Sequence, residues 1–114
     1  MPYLHARVSV SIDDNDKQLL QSKLTDIIEK VFSKPKTYIM SEIVDGCALY
    51  MAGKRPEASA YISVGMLGST TKDKCADATE SICKLLETEY GIDGSKIYIT
   101  YHPADLWGWN GSMF

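Results

Sequence analysis

Twice in this chain a stretch of alternating polar and apolar residues gives way to apolar residues recurring every three or four positions, and then to a second β-rich run. Leu4, Ala6, Val8 and Val10 alternate with Tyr3, His5, Arg7 and Ser9, the period of two expected of a strand with one buried face. Leu20, Leu24, Ile27, Ile28 and Val31 then follow at helical spacing, which predicts an amphipathic helix over roughly 14–32. The short polar run Asp13, Asp14, Asn15 and Asp16 stands where free helix N–H groups need acceptors and the dipole favours negative charge. Pro35 stops the helix, because the residue before a proline avoids helical angles. Thr37 to Val44, β-branched and aromatic, reads as the next strand.

The second half repeats the order. Asp45-Gly46 marks a turn, Cys47 to Met51 is a candidate for a short extra strand, and Gly53 to Glu57 is a polar loop. Ala58 to Leu67 is a strand, broken by Gly68. Ser69, Thr70 or Thr71 can cap a second helix whose Cys75, Ala78, Ile82, Leu85 and Leu86 share a face, with Gly91 at its left-handed end. Lys96 to His102 is a last strand, and Pro103 to Phe114 a tail rich in Trp, Gly and Asn. Val8-Ser9-Val10 is echoed by Ile62-Ser63-Val64, and Lys36-Thr37-Tyr38-Ile39 by Lys96-Ile97-Tyr98-Ile99. The fold class expected is α/β: duplicated β–α–β units with right-handed crossovers, giving a four-stranded mixed sheet with both helices on one face. The other face is then uncovered. An uncovered apolar face must pack on something, and association into an oligomer is the simplest answer.

The chain of 114 residues suits a single domain spanning 1–114. A net charge of −3, with no cluster of Lys and Arg, argues against nucleic acid as a partner. No stretch is apolar and long enough to span a bilayer, and Met1 to Ser11 lack the apolar block of a signal peptide, so the expected address is the cytoplasm. Three cysteines, Cys47, Cys75 and Cys83, form neither a disulfide framework nor a zinc-type pattern with His5 and His102; no metal is expected.

Four features can carry chemistry. Methionine before a small residue such as Pro2 is of the kind removed in cells, which leaves the proline nitrogen as a free secondary amine. A free α-amino group has a pKa of about 7.7–8.0, and an apolar pocket or a nearby cation lowers it, fitting the amine for general-base work. Met-Pro starts also occur without any such role. Lys34, just past the first helix, can hold a carboxylate as a point charge or simply answer the helix dipole. Tyr38 and Tyr98 can donate to a developing enolate or serve sheet packing alone. Trp107-Gly108-Trp109-Asn110-Gly111 suggests a pocket wall or an interface, or a tail pinned by its aromatic rings.

Together these pieces resemble the macrophage migration inhibitory factor family. The resemblance rests on Met1-Pro2, Lys34-Pro35 followed by Tyr38-Ile39, Gly68 before the second helix, and Ile97-Tyr98-Ile99; it is strongest at Trp107-Gly108-Trp109-Asn110-Gly111-Ser112 with terminal Phe114. It implies a homotrimer with sheets lining a central channel and active sites between adjacent subunits. It implies a keto–enol tautomerase without cofactors, of the phenylpyruvate or dopachrome type. Pro2 is then the base, Lys34 the carboxylate ligand and the Leu67 N–H a further hydrogen-bond donor, with Tyr98 from the neighbouring subunit supporting the acid side. Tyr38, Trp107, Trp109 and Phe114 form the aromatic rim, and Thr100 stands in the pocket where mammalian members have asparagine. The small aromatic keto acid is the implied substrate. The family also implies an alternative, a cytokine-like signalling protein with a receptor partner, secreted without a signal peptide. Tyr50 to Arg55 and Gly65 to Gly68 depart from the common family patterns, and Ser59-Ala60-Tyr61-Ile62 replaces the Cys-x-x-Cys pair of mammalian cytokines, so thiol oxidoreductase activity is not implied.

Overall fold

The computed structural model describes residues 1–114. Strand β1 (Pro2–Val8) leads into helix α1 (Asp14–Phe32), and β2 (Met40–Val44) returns beside β1 in parallel. Strand β3 (Ala60–Leu67), helix α2 (Lys72–Tyr90) and β4 (Ile97–Ala104) repeat the unit, with β3 and β4 again parallel. The two units join through antiparallel β1 and β3, so the sheet order is β2-β1-β3-β4. A small hairpin, β5 (Gly108–Trp109) and β6 (Ser112–Met113), closes the chain.

The helices start and stop where short side chains and left-handed residues permit. Asp13 accepts from the Asp16 N–H at 2.8 Å, and Thr71 from the Lys74 N–H at 3.2 Å. Gly91 ends α2 in the left-handed region, with its N–H returned to the carbonyl of Glu87 at 3.0 Å. Helix α1 ends on Ser33 in the same conformation, φ 55°, a backbone that costs any residue with a Cβ.

One face of the sheet carries the core. Leu4, Ala6 and Val8 of β1 and Ala60, Ile62, Val64 and Met66 of β3 pack on Leu20, Leu24, Ile28 and Phe32 of α1 and Ala78, Ile82 and Leu86 of α2. All are buried, so both helices cover the same face. No helix is long and apolar enough to cross a membrane.

The duplication is real but its register differs from the short sequence echoes. Helix α1 opens at Asp14 and α2 at Lys72, 58 residues later. The caps Asp13 and Thr71, and the ends Ser33 and Gly91, keep that spacing. So do the strand pairs Tyr3–Met40 and Tyr61–Tyr98. Val8-Ser9-Val10 and Lys36-Thr37-Tyr38-Ile39 are therefore not the counterparts of Ile62-Ser63-Val64 and Lys96-Ile97-Tyr98-Ile99. Tyr98 corresponds to Met40, and Tyr38 to Lys96.

Three further expectations need correction. The strand expected from Thr37 starts at Met40, because Lys36–Tyr38 forms a turn of 3-10 helix closed by Tyr38 N–H on the Pro35 carbonyl at 3.0 Å. Cys47 to Met51 forms no strand; only Met51 bridges, to Lys54, around a tight turn at Ala52 and Gly53. The uncovered face is mostly polar, with Met40 and Tyr98 exposed on it. Arg7 Nε donates to His5 Nε2 at 2.9 Å, Tyr3 Oη to Glu42 at 3.4 Å, and Tyr61 Oη shares a proton with Thr100 Oγ1 at 2.7 Å. These side chains sit at the odd positions of β1 and β3 and on the strands beside them, opposite the core residues.

Candidate active site

The start of β1 is buried in the middle of the sheet, between β2 and β3, and a cleft opens beside it. Pro2 is fully buried and pairs with Met66 of β3. Met1, Pro2 and Tyr3 form the floor of a cleft of about 620 Å³ whose sides are Thr37 to Met40 and Trp107 to Trp109.

Leu67, the last residue of β3, ties two separate parts of this region together. Its N–H donates to the Met1 carbonyl at 3.2 Å, and its carbonyl accepts from Lys34 Nζ at 3.2 Å. Lys34 reaches this point because α1 ends at Phe32 and the chain then turns through left-handed Ser33 toward Pro35. The ammonium is therefore held one peptide away from the amino terminus. Burial first, and the Lys34 charge second, push the α-amino group below its ordinary value. Both disfavour the protonated amine.

The aromatic wall is a packed unit. Trp109 stands edge-on to Tyr38 with ring centroids 5.9 Å apart, and stacks on Phe114 at 5.7 Å. The Phe114 N–H donates to the Trp107 carbonyl at 3.1 Å and closes the hairpin. Asn110 and Gly111 make its turn at φ 52° and 78°, a conformation in which glycine meets no Cβ penalty. The Trp107 ring lies over Gly65, where a Cβ would stand 4.0 Å from its Cη2. Gly65 thus leaves the sheet surface flat enough to receive an indole.

The structure brings Pro2, Lys34, Leu67, Tyr38, Trp107, Trp109 and Phe114 into one region. It does not bring in Tyr98 or Thr100. Tyr98 pairs with Tyr61, five residues along β3 from the Met66 that pairs with Pro2, or about 17 Å at strand rise. It is 66% exposed. Thr100 lies on the open face, bonded to Tyr61 and, at 2.8 Å, to His102 Nε2. Thr37, Ile39 and Met40 also line the cleft, although the β-branched Thr37 and Ile39 have the sequence character of strand formers. Met40 is 68% exposed at the start of a strand, and that exposure of a large apolar residue is visible only in three dimensions.

The chain is similar to known proteins along its whole length. The sequence description of the family Macrophage migration inhibitory factor (MIF) matches residues 1–114. The crystal structure of Leishmania major MIF2 is 30% identical, with a TM-score of 0.90 over 100% of this chain and 97% of that one. The MIF-like protein mif-2 of Caenorhabditis elegans is 28% identical over 92 residues, 79% of this chain and 76% of the relative. In fold alone the likeness extends to a fused 4-OT described as a symmetric trimer, 17% identical, with a TM-score of 0.83 over 97% of this chain and 94% of that one.

Proposed function

The chain belongs to the macrophage migration inhibitory factor family of the tautomerase superfamily, and from that premise we propose that it is a cofactor-independent keto–enol tautomerase of aryl α-keto acids such as phenylpyruvate. Its base is the amine of Pro2, freed when Met1 is removed.

The observation that carries this reading is the double role of Leu67. With Met1 attached, the Pro2 nitrogen is a tertiary amide with no lone pair for proton transfer, and the Met1 carbonyl holds the Leu67 N–H. Loss of Met1 does two things at once. It creates a secondary amine at a fully buried residue, and it releases a backbone donor beside it. Burial and the Lys34 charge, which lower the α-amino group at residue 1, are the causes expected to act on a Pro2 amine one residue further in. A neutral amine near pH 7 is the form that accepts a proton.

The chemistry then follows from position. The Lys34 ammonium receives the substrate carboxylate, and the Leu67 N–H donates to an oxygen of the same end. The aryl ring lies against Trp107, Trp109 and Tyr38. The Pro2 nitrogen takes a proton from the carbon α to the ketone as the enolate forms, and the protonated amine then gives that proton up to the enolate oxygen, directly or through a neighbouring hydroxyl, so the base is regenerated and one proton has moved from carbon to oxygen; the reverse step returns it. Tyr98 is too far from Pro2 within one chain to serve that oxygen, so we infer that a second copy supplies it, in the homotrimer expected of the family, with the open face of the sheet as part of the contact.

The test is an intact mass on the purified chain followed by a phenylpyruvate tautomerisation assay. A chain without Met1 turns over substrate. Pro2→Gly lowers kcat/KM by about 10²–10⁴-fold, the usual share of a positioned base. Full turnover by a chain that keeps Met1 would rule out the amine as base.

A further inference from the structure

The 58-residue repeat extends past the strands to the clefts. The turn of the C-terminal hairpin, Asn110 and Gly111 at φ 52° and 78°, is reproduced by Ala52 and Gly53 at φ 54° and 74°. Trp109 pairs with Ser112, and Met51 with Lys54. Behind this second hairpin lies a second cleft, of about 280 Å³, at the opposite end of the sheet. Most of its lining maps onto the Pro2 cleft at the 58-residue spacing. Ala60 stands for Pro2, Tyr61 for Tyr3, Tyr98 for Met40 and Met51 for Trp109.

Two substitutions within this pseudo-symmetry carry chemistry. Where the Pro2 cleft has the phenol of Tyr38, the second cleft has the ammonium of Lys96. Lys96 is partly buried and takes part in no ion pair within the chain. Its neighbour Asp93, whose Oδ1 accepts from the Ser95 N–H and hydroxyl at 2.8 and 2.7 Å, feels the Lys96 charge but forms no ion pair with it. Where the first cleft has Met1, the second has Ser59, 5% exposed, whose buried hydroxyl has no hydrogen-bond partner. A partly buried cation without an ion-pair partner, beside an orphaned hydroxyl and walled by Tyr61 and Tyr98, has the makings of an anion-accepting aromatic site.

Tyr98 belongs to this cleft, and the tautomerase reading sets Tyr98 of one copy against Pro2 of the next. We propose, resting on that reading, that the second cleft is the distal half of the substrate site and that Lys96 receives a second anionic group at the far end of an aryl keto acid. Lys34 holds one carboxylate and Lys96 the other. The preferred substrates are then aryl keto acids that carry a distal carboxylate or a comparable acidic group.

The experiment compares two unreactive probes, cinnamate and para-carboxycinnamate, by calorimetry and by quenching of Trp107 and Trp109 in the Met1-free chain. The para-carboxylated probe binds about tenfold more tightly than cinnamate, a charged hydrogen bond discounted for partial exposure. Lys96→Gln removes that advantage and Lys96→Arg keeps it, while cinnamate affinity and phenylpyruvate turnover stay within about twofold of wild type. Equal affinities in wild type, or an advantage that survives Lys96→Gln, would overturn the proposal. Phenylpyruvate turnover is read separately. A wild-type chain that binds the para-carboxylated probe through Lys96 yet turns nothing over refutes the tautomerase reading and leaves the distal cation standing.

Discussion

Replacing Trp109 by alanine asks whether the C-terminal hairpin is held over the cleft by one indole. The ring makes two aromatic contacts, edge-on to Tyr38 at 5.9 Å and stacked on Phe114 at 5.7 Å. Such pairs contribute about 0.5–1.5 kcal/mol each beyond area burial, so closure of the hairpin weakens by about 1–3 kcal/mol. Trp109 is 51% exposed, so area burial adds little to this figure. The hairpin lies outside the core, and the loss falls on local opening, with global stability nearly unchanged. The most direct probe is amide hydrogen exchange at Phe114, whose N–H closes the hairpin on the Trp107 carbonyl. Its exchange accelerates about 5- to 150-fold in Trp109→Ala, at a tenfold change per 1.4 kcal/mol. KM for phenylpyruvate rises in parallel, because a wall of the cleft is open part of the time. Unaltered exchange at Phe114 would refute the reasoning, since it would mean that the backbone alone holds the hairpin.

Other perturbations have equally definite outcomes. Lys34→Ala removes a charge that lowers the amino-terminal pKa, so the acid limb of the kcat/KM profile moves to higher pH and KM for a keto acid rises; a profile that stays in place excludes Lys34 as a tuning charge. Leu24→Ala empties a fully buried position between α1 and the sheet and costs about 2–5 kcal/mol in denaturant unfolding. Ser33→Gly relieves a left-handed residue at the end of α1 and stabilises by about 0.5–1 kcal/mol, read as a thermal midpoint a few degrees higher.

Local chemistry carried much of this fold in the sequence. Asp13 and Thr71 cap as their side chains suggest, and Gly91 ends α2 in the left-handed region. The alternation of Leu4, Ala6 and Val8 fixes which face of β1 is buried. What was not legible depends on contacts between distant residues. Thr37 and Tyr38 have strand character, yet the Glu29 carboxylate accepts from the Lys36 N–H at 2.7 Å and helps to hold the 3-10 turn instead. Matching strings misplaced the repeat by two to four residues, because what the two halves share is backbone conformation at Ala52-Gly53 and Asn110-Gly111, not residue identity. The alternation of Tyr3, His5 and Arg7 with the core residues marks one face of β1 as polar, but that Glu42 and Thr100 join that face appears only when the strand order sets the strands side by side. At the cleft, Pro2 and Lys34 were visible as candidates, but their link through the two ends of the Leu67 peptide required the register of β3.

Titration of the residue-2 nitrogen itself goes to the heart of the account. A Met1-free chain labelled with nitrogen-15 proline gives one imino resonance whose shift can be followed against pH. The expected inflection lies below the free α-amino range of about 7.7–8.0, coincides with the acid limb of the kcat/KM profile and rises in Lys34→Ala. An inflection at or above that range, or activity with a pH dependence unrelated to it, would contradict the claim that this amine is the base.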